Sequence, residues 1–145
     1  MSETPERSST PRLRQVVLDA EDALGLAEFY RQLLGLGYIE GGEPGAAGGT
    51  DAPDWLVLVD GSGARVLAFQ RVASMLPPTW PEGPRPQMMH LDFVAENVDD
   101  LREQHALAVS LGASVLEDST DDPEEAIVIF ADPAGHPFCI FVLEE

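Results

Sequence analysis

Residues 13–38 read LRQVVLDAEDALGLAEFYRQLLGLGY, and residues 88–115 read MMHLDFVAENVDDLREQHALAVSLGASV. Each stretch begins with an apolar strand pattern, continues into a helix with an acidic start and a Leu-Gly end, and then returns to a strand. Gln15 in the first stretch corresponds to His90 in the second. The repeat predicts a fold with internal pseudo-symmetry, and we expect its binding site where the two halves meet.

The remaining segments complete the same order of elements in both halves. After the first repeat, strand patterns span residues 55–59 and 65–72, and the sequence between them is typical of a hairpin turn. After the second repeat, strand patterns span residues 126–130 and 137–143. Within the repeats, the patterns predict a helix over residues 23–34 and strands over residues 87–94 and 114–116, and residues 117–125 are interpreted as an acidic loop. Each half therefore reads β-α-β-β-β, and the predicted fold class is α+β with two tandem βαβββ modules.

Composition divides the chain into four parts. Residues 1–11 are polar and predict a flexible tail, and residues 12–75 form the first module. Five prolines fall between residues 76 and 87. Because proline lacks an amide donor and interrupts helices and strands, residues 76–86 are interpreted as a linker. Residues 87–145 form the second module.

The charge balance limits the possible partners. The chain has 26 acidic residues and 8 basic ones, for a net charge of −18. Such a chain repels phosphate backbones and anionic lipids, so we expect neither a nucleic-acid nor a membrane partner. The single cysteine, Cys139, fits a reducing cytoplasm. All basic residues are arginine, which is typical of GC-rich bacterial genomes.

Four short motifs occur in a recognisable order: residues 29–36 (FYRQLLGL), 89–93 (MHLDF), 111–113 (LGA) and 132–138 (DPAGHPF). With these motifs the chain resembles the vicinal oxygen chelate superfamily, which includes glyoxalase I, extradiol dioxygenases and bleomycin-resistance proteins. The likeness is greatest to its glyoxalase-like members. It implies that the strands form a curled mixed sheet around a central cup, with the helices on the outside.

The resemblance also implies a position for a metal ion. Metal-using members of the superfamily hold a divalent ion with four side chains, two from each module, and the matching positions are Gln15, Gln70, His90 and Cys139. The two glutamines offer only neutral amide oxygens, and Cys139 stands where the superfamily has a carboxylate. We therefore expect no metal cofactor; if a divalent metal does bind, His90 anchors it with Gln15 and Gln70.

Strand alternation independently places a set of side chains on the concave face. Asp92 shares a face with His90 and either orients the imidazole or lines the rim of the cup. Trp80 lies in the linker, where it either covers a ligand or forms a subunit contact. The candidate ligand-binding residues are Gln15, Val17, Trp55, Gln70, Trp80, Met88, His90, Asp92, Cys139 and Phe141.

Two functional hypotheses remain open. In the first, the cup binds a small, partly apolar organic molecule without covalent chemistry, and His90 supplies a hydrogen bond. In the second, the protein is a metal-dependent enzyme of the superfamily, a glyoxalase-type lyase or isomerase or a dioxygenase-like enzyme, with His90 as the metal anchor. No catalytic residue is assigned, because Cys139 has no neighbouring cation to activate its thiol. The resemblance further implies a homodimer.

Overall fold

The computed structural model describes residues 9–45, 53–80 and 82–143. Residues 1–8 of the predicted flexible tail lie outside these ranges. The described residues form eight strands and two helices. These are β1 (Val16–Ala20), α1 (Ala23–Leu34), β2 (Gly37–Tyr38), β3 (Trp55–Val59), β4 (Arg65–Arg71), β5 (Leu91–Ala95), α2 (Val98–Ser110), β6 (Ser114–Ser119), β7 (Ile127–Ala131) and β8 (Pro137–Val142).

The strands form two separate four-stranded sheets with the same topology. Strand order is β1-β4-β3-β2 in the first sheet and β5-β8-β7-β6 in the second. In each sheet the first and last strands along the chain pair in parallel, and the other pairs are antiparallel. The predicted α+β class with two βαβββ modules is therefore confirmed. The two sheets remain open and leave β1 and β5 as edge strands.

Local sequence explains the limits of α1, which are the predicted ones. The Asp22 side chain accepts a 2.9 Å hydrogen bond from the backbone N–H of Gly25 and caps the first turn. Gly35 ends the helix with φ of 66°, a left-handed conformation that glycine adopts without a steric penalty. Asn97 caps α2 in the same way as Asp22 caps α1. In the described part of the chain, no helix is long and apolar enough to cross a membrane.

The second module departs from the predicted strand limits at two places. β5 was expected to begin at residue 87 and begins at Leu91, because residues 87–90 do not pair with β8 and Met88 is almost fully exposed. β6 was expected to end at residue 116 and extends to Ser119, through an irregularity in its pairing with β7 between Val115 and Glu117. Part of the predicted acidic loop is therefore an exposed strand.

One aromatic core joins the two modules. The ring of Tyr30 in α1 lies 6.0 Å from Phe69 of β4, 6.1 Å from Phe138 of β8 and 6.3 Å from Phe93 of β5, measured between centroids. Aromatic pairs at these separations contribute to stability beyond the area they bury. α1 packs on the first sheet and α2 on the second, and Tyr30 contacts aromatic rings of both sheets. The opposite face, with Val17 and Asp92, is accessible to solvent.

Candidate functional site

A groove of about 440 Å³ lies where the two modules meet. Residues 16–19 of β1 form one wall, and residues 88–91, which lead into β5, form the other. Met75, at the end of the first module, and Leu76 and Pro78 of the linker also line the groove. This inter-module groove is at the junction where the sequence repeat predicts a binding site. Of the candidate ligand-binding residues, it is lined by Val17, Met88 and His90.

Three potential donor side chains converge on the exposed face of the second sheet. Asp92 of β5 lies directly opposite Cys139 of β8 in the parallel register. His90, two residues before Asp92, places its Nε2 atom 3.2 Å from Asp92 Oδ1. One nitrogen, one oxygen and one sulfur atom of these residues lie within 4.8 Å of one another. The structure thus brings together three of the predicted site residues, which we call the His90–Asp92–Cys139 cluster.

Gln87, the first residue of the second module, and Trp80 of the linker lie beside the His90 ring. Its Nδ1 atom lies 3.2 Å from Gln87 Oε1. The Trp80 ring lies almost parallel to the imidazole, at a centroid distance of 6.0 Å and an interplanar angle of 17°. The structure therefore places Trp80 over the imidazole. Because His90 also lines the inter-module groove, it connects the groove with the cluster.

Cys139 has the environment of an unreactive thiol in the free protein. Its side chain is buried, and burial together with the neighbouring Asp92 carboxylate raises the pKa of the thiol to about 11. Only a thiolate is an effective nucleophile, so a thiol with this pKa is protonated near neutral pH. Phe141 follows Cys139 by two positions on the same strand, where it is half-buried opposite Val94.

The first module arranges its candidate residues differently. The amide oxygen of Gln15 accepts a 3.3 Å hydrogen bond from Arg65 Nη1. Gln70 lies opposite Asp19 of β1 and Trp55 of β3. The β1–β4 register, extended by one residue, sets Gln15 level with Val66, so Gln70 lies four positions further along β4. At about 3.3 Å per residue, the two glutamines are separated by roughly 13 Å along the sheet. They therefore do not meet in one site.

The strand registers explain why the ligand set of the resemblance does not fit. Val17 pairs with Ala68 in the first sheet, as Asp92 pairs with Cys139 in the second. The counterpart of Cys139 is therefore Ala68, which has no donor atom, whereas Gln70 corresponds to Phe141. Gln15 and Gln70 are not neighbours in this register, so a four-ligand site that combines both glutamines with His90 and Cys139 does not fit this chain.

Three residues near the site were not recognised from the sequence. Nε2 of His136 donates a 2.6 Å hydrogen bond to the backbone carbonyl of Asp19, and His136 also lines the groove. Gln87 contacts His90, and Arg65 contacts Gln15. The DPAGHPF motif contains His136, but its turn position alone predicts only an exposed side chain. Its role depends on the contact between the modules, which sequence patterns do not reveal.

Comparison with known proteins gives a consistent family assignment. The sequence profile of one protein family, described as glyoxalase-like domain, matches residues 15–141. This range includes every strand and helix of both modules except the final residue of β8. No curated protein matches the sequence significantly.

Several solved structures share the fold at low sequence identity. A glyoxalase/dioxygenase from Nostoc punctiforme is 18% identical, with a TM-score of 0.63 over 98% of this chain and 100% of that one. A glyoxalase/bleomycin resistance protein/dioxygenase family enzyme from Burkholderia phytofirmans PsJN is 16% identical, with a TM-score of 0.62 over 90% and 98%. The fosfomycin resistance protein FosX from Mesorhizobium loti is 12% identical, with a TM-score of 0.61 over 94% and 95%. These likenesses show the fold alone.

Proposed function

Because the chain belongs to the glyoxalase-like domain family, we propose that it binds a small, partly apolar organic molecule in the inter-module groove. The observation that carries this proposal is the groove itself, whose volume of about 440 Å³ falls within the usual range for small-molecule sites. The fold alone does not indicate the ligand, since proteins of one fold bind chemically unrelated molecules. The proposal therefore rests on the residues that line the groove.

The lining favours a ligand with an apolar body and at least one polar group. Val17, Leu76 and Met88 are all exposed apolar side chains at the groove, and burying them under a ligand removes apolar surface from water. His90 and Arg85 provide polar groups at the same groove. Methionine side chains adapt to ligands of different shape, so this wall suits a flexible or irregular molecule.

A pair of matched variants tests the location of the site. Val17 is 41% exposed in the groove, whereas Val109 is 46% exposed on α2, away from it. We would screen a library of neutral, partly apolar fragments by ligand-observed NMR against the wild type, Val17→Arg and Val109→Arg. Fragments that bind the wild type and Val109→Arg but lose at least tenfold in affinity for Val17→Arg support the proposal. Absence of fragment binding, or unchanged binding to Val17→Arg, contradicts it.

The alternative function is that of a metal-dependent enzyme of the same superfamily, and the His90–Asp92–Cys139 cluster favours it. Similarity to the lactoylglutathione lyase from Agrobacterium tumefaciens, at 18% identity and a TM-score of 0.54, makes lactoylglutathione the first compound to test. Turnover that requires an added divalent ion and is lost in His90→Gln supports the enzyme. Equal rates with and without protein exclude this substrate.

We further propose that the protein forms a homodimer. Trp55 and Val94 are large apolar side chains that are 46% and 56% exposed on the open faces of the two sheets. Contact with a second copy removes such side chains from water. Size-exclusion chromatography with light scattering tests the proposal. One chain has a mass of 15.6 kDa, and we expect the wild type to show twice that mass. We expect Trp55→Asp combined with Val94→Asp to be a monomer.

A further inference from the structure

We infer that His90, Asp92 and Cys139 form a binding site for a thiolate-preferring divalent cation such as zinc, held entirely by the second module. This site differs from the four-ligand arrangement of the superfamily, since it needs no residue of the first module and uses a sulfur donor. It also differs from the ligand set expected from the sequence, in which Gln15 and Gln70 accompanied His90. The inference does not require the proposed organic ligand, but it deepens the metal-dependent alternative function, which rests on the same cluster.

The donor set has the number and type of ligands that zinc uses at an open site. Sites of this kind have three protein ligands drawn from histidine, cysteine and carboxylate, and a fourth position for water or a ligand. His90 Nε2 and Asp92 Oδ1 are 3.2 Å apart, close to the roughly 3.3 Å expected for two tetrahedral ligands at zinc bond lengths of about 2.0 Å. All three donor atoms lie within 4.8 Å of one another, so only a small movement brings them to one ion.

The surroundings of His90 provide an acceptor for the ring nitrogen that does not bind the metal ion. A histidine ligand binds through one ring nitrogen and donates the N–H of the other to a neighbouring acceptor, which fixes the ring. Gln87 Oε1 lies 3.2 Å from Nδ1, on the side of the ring away from Asp92. With an ion bound between Nε2 and Asp92, the proton of the ring is on Nδ1 and is donated to Gln87 Oε1. Trp80 stacks on the ring and limits its rotation further.

Charge and accessibility are also consistent with a cation. Two of the three ligands carry a negative charge when they bind, which balances a divalent ion. The net charge of −18 attracts cations to the surface. The side chains of His90 and Asp92 are 39% and 54% exposed, so an ion reaches them from solvent, whereas Cys139 forms the buried base of the site. Sulfur favours zinc over magnesium, calcium and manganese.

Cobalt(II) titration of the purified, metal-free protein under reducing, oxygen-free conditions tests the inference. We expect about one Co²⁺ per chain and a sulfur-to-cobalt charge-transfer band in the near ultraviolet. The band disappears on addition of one equivalent of Zn²⁺ and persists with the same amount of Mg²⁺. Cys139→Ser abolishes the band, and His90→Gln and Asp92→Asn weaken zinc binding at least tenfold. A wild-type protein that has a free thiol but shows no band overturns the inference.

Two further variants make the test specific. His105→Gln is the matched control, because His105 also faces a carboxylate, Asp118, at 3.8 Å but has no neighbouring thiol in the described part of the chain. We expect it to bind cobalt as the wild type does. Because Cys139 is buried, near-ultraviolet circular dichroism is used to check that its variants are folded. Asp92→Asn changes an exposed residue, so it tests the site without altering the core. Val17→Arg leaves the cobalt band intact, so loss of fragment binding and loss of metal binding are distinguishable.

Discussion

The hydroxyl of Tyr30 donates a 2.7 Å hydrogen bond to Oδ2 of Asp132, and both side chains are buried. Tyr30 belongs to α1 of the first module, and Asp132 belongs to the turn before β8 of the second. The other carboxylate oxygen of Asp132 accepts hydrogen bonds from the backbone N–H groups of Ala134 and His136. This buried contact therefore links the helix of one module to the turn that leads to Cys139.

We expect Tyr30→Phe to lower the free energy of unfolding by about 1–3 kcal/mol, because the variant removes a hydrogen bond to a buried charged group. Tyr38→Phe is the matched control: its hydroxyl donates a 2.6 Å bond to Glu28, which is partly exposed. We expect that control to cost less than about 1 kcal/mol. Urea unfolding followed by circular dichroism measures both. Equal losses would show that burial of the Tyr30–Asp132 contact has no special effect on stability.

Gly135 lets the linker pack against the same turn. A Cβ atom at this position would lie 2.3 Å from Pro77 Cβ, and the φ angle of 100° disfavours any other residue. We expect Gly135→Ala to displace the linker, destabilise the protein by more than 1 kcal/mol and weaken fragment binding at the groove, which Leu76 and Pro78 line. Gly61→Ala, with no atom within 4 Å of its Cβ position, is expected to be nearly neutral. Thermal unfolding and NMR titration compare the two variants.

Local sequence predicted those elements whose limits depend on neighbouring residues. Asp22 and Gly35 determine where α1 begins and ends, and the limits of α1 are the predicted ones. The limits of β6 depend instead on its pairing with β7, the next strand along the chain, and the sequence predicted too short a strand. The overall fold was predictable because the repeat, the alternation of apolar residues and the four motifs all indicate the same architecture.

The candidate site was predicted only in part, for a similar reason. His90 and Cys139 were identified from the resemblance, and Asp92 was identified because it shares a face with His90. The expected grouping of Gln15 and Gln70 required the register between β1 and β4, and that register places Gln70 opposite Asp19. Register is a property of the paired strands, and neither strand reveals it alone.

The titration of Cys139 gives a pH-dependent prediction. Burial and the Asp92 carboxylate raise the pKa of this thiol from 9.0 to about 11 in the folded protein. Because the folded-state pKa is the higher one, the thiol stabilises the fold fully below pH 9, and this contribution is lost as the pH rises towards 11. We expect the wild type to lose stability over this range relative to Cys139→Ala.

Thiolate absorbance measures the same ionisation directly in the metal-free protein. After subtraction of the Cys139→Ala spectrum, which removes the tyrosine contribution, the wild type is expected to titrate near pH 11. Asp92→Asn removes a neighbouring negative charge and a hydrogen-bond acceptor, so its midpoint is expected at lower pH. An unchanged midpoint in Asp92→Asn would show that the carboxylate does not act on the thiol.

Trp80 offers a reporter for occupation of the His90 site. The chain has two tryptophans, so Trp55→Phe leaves Trp80 as the only one. Trp80 stacks on His90, whereas Trp55 lies on the sheet of the other module. Because cobalt quenches nearby indole fluorescence, we expect Co²⁺ to reduce the emission of Trp55→Phe by more than half, with an endpoint near one ion per chain.

Trp80→Phe, which retains only Trp55, is the control and is expected to lose little emission. Equal quenching of the two variants would place the ion away from His90, and quenching that persists in Trp55→Phe combined with His90→Gln would exclude the imidazole as a ligand.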